Sequence, residues 1–132
     1  MPEILWIPTA VAFAANFFIG AVWYGVLANP WMEECGFTQE MIKNEKWPTP
    51  TYLLAAIGAA IQSVVFAAIV AYAKPANLGI TMLIGLGVGL LAAFATIKHH
   101  SFERRTWRLL FIDGGNDLAG FLAMALVFGL WP

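Results

Sequence analysis

Four long apolar runs separated by short polar stretches organise this chain. They cover about residues 4–27, 52–73, 78–97 and 107–131. A helix needs ~20 residues to cross ~30 Å of hydrocarbon, and each run meets that length. None shows the period-two alternation of a barrel wall, and a lone strand leaves its backbone polar groups unpaired in lipid. The pattern therefore predicts an all-α fold: one transmembrane domain, an integral membrane four-helix bundle spanning residues 1–132.

The polar stretches refine this picture. Trp6, Trp23, Tyr24, Trp31, Tyr52, Tyr72, Trp107 and Trp131 cluster near the ends of the runs, where amphipathic rings anchor at headgroup level. Pro8 falls near the start of the first run, where a missing N–H costs little. Lys74-Pro75-Ala76-Asn77 is a tight turn that makes the second and third helices antiparallel neighbours. Residues 29–50 form the longest polar stretch and read mainly as a connector. Within it Gly36 closes a turn, Thr38 is a candidate N-cap and Glu40 falls in the first helical turn. Met41 and Ile42 then predict a short amphipathic helix lying on the membrane surface, ended by Pro48 and Pro50.

Composition supports the membrane reading, with 61% hydrophobic and 11% charged residues, against ~25% charged in soluble domains. A net charge of −1 without a basic stripe gives no reason to expect nucleic acid. Of the seven Lys and Arg residues, Lys43, Lys46, Lys98, Arg104, Arg105 and Arg108 fall on one side and Lys74 alone on the other. The positive-inside rule places both larger loops in the cytoplasm and both termini outside it. That imbalance argues against dual topology. The first run follows Met1-Pro2-Glu3, which lacks the basic residues of a signal peptide, so a retained helix is expected. Cys35 is the single cysteine; it excludes an internal disulfide and reads as a small, half-buried side chain.

The fourth run carries the unusual chemistry. Asp113, Asn116 and Asp117 are spaced i, i+3, i+4 and share one helical face. Asp117 lies ~15 Å beyond Trp107 along the axis, near the bilayer midplane. Two mid-membrane Asp residues cost ~5–7 kcal/mol on insertion scales, while the apolar residues of this segment recover ~3–7. This helix needs partners. Asn16 and Gln62 come to similar depth in the first two helices, with Ser63 nearby, and predict a polar layer with Asp117. Gly20, Gly58 and Gly120 lie one turn from Asn16, Gln62 and Asn116, inviting close backbone approach. Gly85, Gly87 and Gly89 make the third helix flexible or tightly packed, since alternate glycines do not share a face.

Three readings compete for the acidic patch. In the first, protonated carboxyls, or carboxylates paired with Arg104, Arg105 or Arg108, hold the bundle together. In the second, the patch binds a proton or cation coupled to substrate movement. In the third, which carries least weight, Asp113-Gly114-Gly115-Asn116 breaks the helix and aims a half-helix at a ligand. His99 and His100 read as interfacial residues near lipid phosphates, because adjacent residues diverge by ~100° on a helix and make a poor metal pair. No nucleophile triad, nucleotide loop or H-E-x-x-H motif is present, so neither an enzyme nor a metal or organic cofactor is expected.

Gly20-Ala21-Val22-Trp23-Tyr24-Gly25, Asn29-Pro30-Trp31-Met32, the loop from His100 to Arg105, and Asp113-Gly114 together resemble domain-of-unknown-function family 1761. The resemblance covers nearly the whole chain. It implies a small, four-helix protein of the bacterial inner membrane and supplies no site or activity. The working expectation is a small transporter or ion-coupled permeation unit, homo-oligomeric in the bilayer, with Asp113, Asn116, Asp117, Asn16 and Gln62 as its ion or substrate site. The rival is an accessory subunit of a larger membrane complex, bound to partner membrane subunits. A small enzyme acting on lipids or quinones is a distant third.

Overall fold

The computed structural model describes residues 2–44 and 49–132. Met1, Lys46 and Pro48 lie outside the described residues, as do the basic charge and the helix stop assigned to the last two. The fold is all-helical, with no strand among the described residues. In chain order the helices are α1 Trp6–Val26, α2 Ala28–Cys35, α3 Gln39–Asn44, α4 Thr49–Ala73, α5 Leu78–Phe102 and α6 Trp107–Leu130. The four long helices α1, α4, α5 and α6 are long and apolar enough to cross a membrane.

Local chemistry sets the boundaries. Pro8 occupies the first turn of α1, whose N–H groups have no intrahelical acceptor in any case. The stretch expected to open as a connector at residue 29 is instead α2, and this corrects that expectation. Pro30 lacks the N–H that would continue the ladder back to α1, so the chain bends at Leu27 and starts a new helix. Gly36 ends α2 in the left-handed region at φ 75°. Its N–H reaches Glu33 O and that of Phe37 reaches Met32 O, a Schellman motif. Thr38 caps α3, accepting from the Met41 N–H at 3.2 Å. Asn77 caps α5 and Thr106 caps α6 in the same way. The third long helix runs beyond the expected Ile97 to Phe102, so His99 and His100 sit on helix rather than after it.

The packing centres on α6. Of the most apolar window of α6, 33% is buried, against 11% for α1. On one side lies α5, whose Thr81, Gly85, Gly89 and Ala93 form a buried stripe at i, i+4 spacing. A Cβ at Gly85 would overlap that of Ala125, and one at Gly89 would come within 2.9 Å of Leu118 Cδ1. Gly87 faces open space, so the alternate glycines divide between a packed and a free face. On the other side of α6 lies α1, and α4 packs against α1 while reaching α6 only locally. Phe66 of α4 meets Phe121 and Phe128 at ring distances of 5.8 and 6.0 Å. Ser63 is buried there, donating to Ala59 O at 2.8 Å with Met124 Sδ 3.3 Å away.

Outward faces on all four long helices carry large apolar side chains, among them Ile7, Leu54, Leu91 and Phe111. In water such surfaces would drive aggregation; in a bilayer they are the solvent contact. Trp6, Tyr52, Tyr72, Trp107 and Trp131 are exposed near helix ends, as an aromatic belt requires. Trp23, Tyr24 and Trp31 depart from that expectation: they are half-buried and turn onto the bundle.

Candidate functional site

The polar residues of α1, α4 and α6 converge on one cleft. Its volume is about 490 Å³, and Asn16, Tyr24, Tyr52, Gln62, Asn116 and Asp117 line it. Asn16 and Gln62 are joined directly, the Asn16 Nδ2–H donating to Gln62 Oε1 at 3.1 Å. Asn16 also presses on α6, where a Cβ at Gly120 would overlap its Oδ1. This glycine is what lets a polar side chain of α1 lie against the α6 backbone. Gly20 lines the same cleft, with the position of a Cβ there 3.7 Å from Asn116 Oδ1. Gly58, expected to mark a close helix approach, instead faces open space and forms part of the cleft wall.

The three polar residues of α6 divide their partners. Asp117 Oδ2 accepts from the Thr96 hydroxyl of α5 at 2.6 Å, while the residue also lines the cleft. Asn116 Oδ1 is buried without a hydrogen-bond partner among the described residues. An acceptor left in that state costs about 1–3 kcal/mol. Asp113 lies one turn nearer the loop end. Its Oδ1 accepts from the Tyr24 hydroxyl at 2.8 Å, and its Oδ2 sits 2.9 Å from His100 Nε2.

These partners correct three earlier expectations. The α6 helix is continuous from Trp107 to Leu130, so Asp113-Gly114-Gly115-Asn116 makes no break. Two of the three candidate arginines are engaged elsewhere: Arg105 pairs with Glu103 at 3.3 Å, and Arg108 lies 3.5 Å from both Glu33 and Glu34. His100 faces Asp113 inside the bundle edge, not lipid phosphate, whereas the exposed His99 pairs with Glu103 at 3.2 Å.

Tyr24, His100 and Trp23, assigned to the interface by sequence, and Thr96 were not expected at the site. Tyr24 follows Asn16 and Gly20 at steps of four, so helical spacing alone places it on the cleft face. His100 follows Thr96 by the same step once α5 is extended. Trp23 acts as a lock: its Nε1–H donates to Ile112 O at 2.8 Å, and its ring lies where a Cβ at Gly115 would come within 2.6 Å. The glycine pair in α6 is therefore a seat for Trp23 and for α5, since a Cβ at Gly114 would meet Ala93 O at 3.4 Å.

Outside the spans, Cys35 is half-buried. Burial first, and then the charge of Asp113, push its thiol pKa above 9.0, with Arg105 opposing. It is a poor thiolate and a poor nucleophile. Among the described residues no three His, Cys, Asp or Glu side chains converge as metal donors.

A family model described as protein of unknown function (DUF1761) matches residues 7–129. No curated protein and no solved structure matches the chain.

Proposed function

The chain belongs to the DUF1761 family, and we propose that it is a small membrane transport protein whose cleft binds a monovalent cation at Asp117. The observation that carries this reading is the cleft itself, where Asp117, Asn116 and the hydrogen-bonded amides of Asn16 and Gln62 line one volume. A cation with N–H donors or a water shell supplies both the charge and the hydrogen bonds these groups lack. Tyr24 and Tyr52 add aromatic walls suited to an ammonium group. The protein then sits in the inner membrane with its two larger loops inside, as the distribution of basic residues favours. Self-association in the bilayer would seal the open side of the cleft, since α4 touches α6 only locally.

The test is uptake of ammonium, methylammonium and tetramethylammonium into proteoliposomes. At least one of the three should be carried, with Asp117→Asn reducing its flux by about tenfold or more. A parent that moves none of them, or an unchanged flux in Asp117→Asn, would contradict the proposal.

A further inference from the structure

A row of proton-carrying groups leads from the loop end of the bundle toward the cleft. At its outer end is Glu103, exposed in the turn between α5 and α6. Its Oε2 lies 3.4 Å from His100 Nδ1, a nitrogen that is buried and has no hydrogen-bond partner among the described residues. On the other edge of the same ring, Nε2 is 2.9 Å from Asp113 Oδ2. Asp113 Oδ1 in turn accepts from the Tyr24 hydroxyl at 2.8 Å, and Tyr24 lines the cleft that holds Asp117. Three helices contribute: α5 the imidazole, α6 the carboxyl and α1 the phenol.

From this geometry we infer that His100, Asp113 and Tyr24 form a proton relay that delivers protons from the loop end of the bundle to Asp117 in the cleft. The inference rests on the cation reading of the cleft and names the proton as one of its cargoes. The steps balance without a further reactant. A proton taken up at Nδ1 makes His100 an imidazolium, and Nε2 then gives its own proton to Asp113 Oδ2, leaving a neutral ring with its proton on Nδ1. Loss of that proton to Glu103 or water as Nε2 is reprotonated from water returns the starting tautomer, with no net proton gained or lost in the reset. A half-turn about the Asp113 Cβ–Cγ bond carries the new O–H to the Tyr24 side. Tyr24 receives that proton as it releases its own to water in the cleft, and Asp117 takes it from there. At ~30 Å³ per water, the cleft has room for the bridging molecules.

The surroundings favour this route over a static ion pair. The titratable and charged groups nearest the relay are Glu103, His99 and Arg105 at the α5 end, Tyr24 on α1, Cys35 on α2 and Asp117 on α6. Arg105 is engaged by Glu103, and Arg108 by Glu33 and Glu34, and among the described residues the ion-pair partner of Asp113 is His100. Histidine is the side chain whose two nitrogens can load on one edge and discharge from the other near neutral pH.

The experiment measures proton entry into proteoliposomes of the full chain, with trapped pyranine and a potassium–valinomycin potential and no amine present. The parent should admit protons, and His100→Gln and Tyr24→Phe should each slow entry by about tenfold or more, in the range typical of lost proton-transfer groups. His99→Gln, beside the relay and outside it, should stay within about twofold. A second measurement does not depend on any variant folding: ¹⁵N spectra of the histidine rings in the parent should find the neutral His100 proton on Nε2. A parent impermeable to protons, a His100→Gln variant within twofold of it, or a neutral ring carrying its proton on Nδ1 would overturn the relay. Amine uptake that depends on Asp117 would survive each of those results, so the relay and the cation site fail separately.

Discussion

The α5–α6 pair and the α1–α4 pair each combine a more and a less apolar helix, yet one is closed and the other open. Between α5 and α6 the glycines sit where any Cβ would collide with the facing helix, as at Gly85 and Gly89. In α4, Gly58 has nothing within 4 Å of a Cβ. The same residue type serves opposite ends: close backbone contact in the first case, free volume beside polar side chains in the second. In lipid, where apolar burial gives no net drive, such packing is what holds helices together. The closed pair therefore supplies the tight packing of the bundle, and the open side, between α1, α4 and the facing side of α6, holds the polar cleft.

The largest expected effect comes from reversing these roles. Gly85→Ala must move Ala125 or the Phe121 backbone, and should lower unfolding stability by about 1–3 kcal/mol. Gly58→Ala meets open space and should be neutral or stabilising by up to about 1 kcal/mol through helix propensity. Reversible unfolding in mixed micelles compares the two; equal effects would erase the distinction between the halves.

A smaller effect is expected within the open half. Asn16→Ala removes the hydrogen bond to Gln62 and the packing on Gly120, and should cost about 1 kcal/mol in the same assay. Together with Gln62→Ala it should cost less than the sum, because both changes delete one interaction.

The smallest effect lies at the exposed turn. The Arg105 hydrogen bond first, then the His99 and Arg105 charges and His100, hold the Glu103 carboxyl below its ordinary 4.5. A carboxylate with a lowered folded-state pKa stabilises fully above its unfolded value and loses that contribution as pH falls through the folded one. Thermal melting of the parent and Glu103→Gln should therefore differ slightly at pH 7 and converge as the pH drops well below 4.5. A gap that widens in acid would reverse the sign of this account.

The architecture was legible because membrane spans are read from length and hydropathy, which tertiary contacts do not alter. The convergence of the polar residues was legible by depth: Asn16, Gln62, Asn116 and Asp117 fall at similar distances along their helices, and they line one cleft. Rotation about each axis was harder to read. Trp23 and Tyr24 have the composition of a headgroup anchor, and only their spacing from Asn16 and Gly20 points them inward. His100 was misplaced because the apolar run ends near Ile97, whereas hydrogen bonding carries α5 on to Phe102. The α2 helix was hidden by Pro30, which usually signals a break but is harmless in a first turn. The arginines looked like partners for Asp113 by sequence proximity; Glu33, Glu34 and Glu103 lie nearer to them in space.

The central claim is that the cleft beside Gly58, with its few polar side chains, admits water, and the most direct measurement is chemical accessibility. In a Cys35→Ser background, Gly58→Cys and Ile57→Cys place thiols on neighbouring positions of α4, one in the cleft wall and one among the exposed apolar side chains. A charged methanethiosulfonate reagent, presented to both faces of proteoliposomes, should modify the cysteine at 58 readily and spare the one at 57. Equal protection of both positions would show the cleft to be dry and would contradict the account.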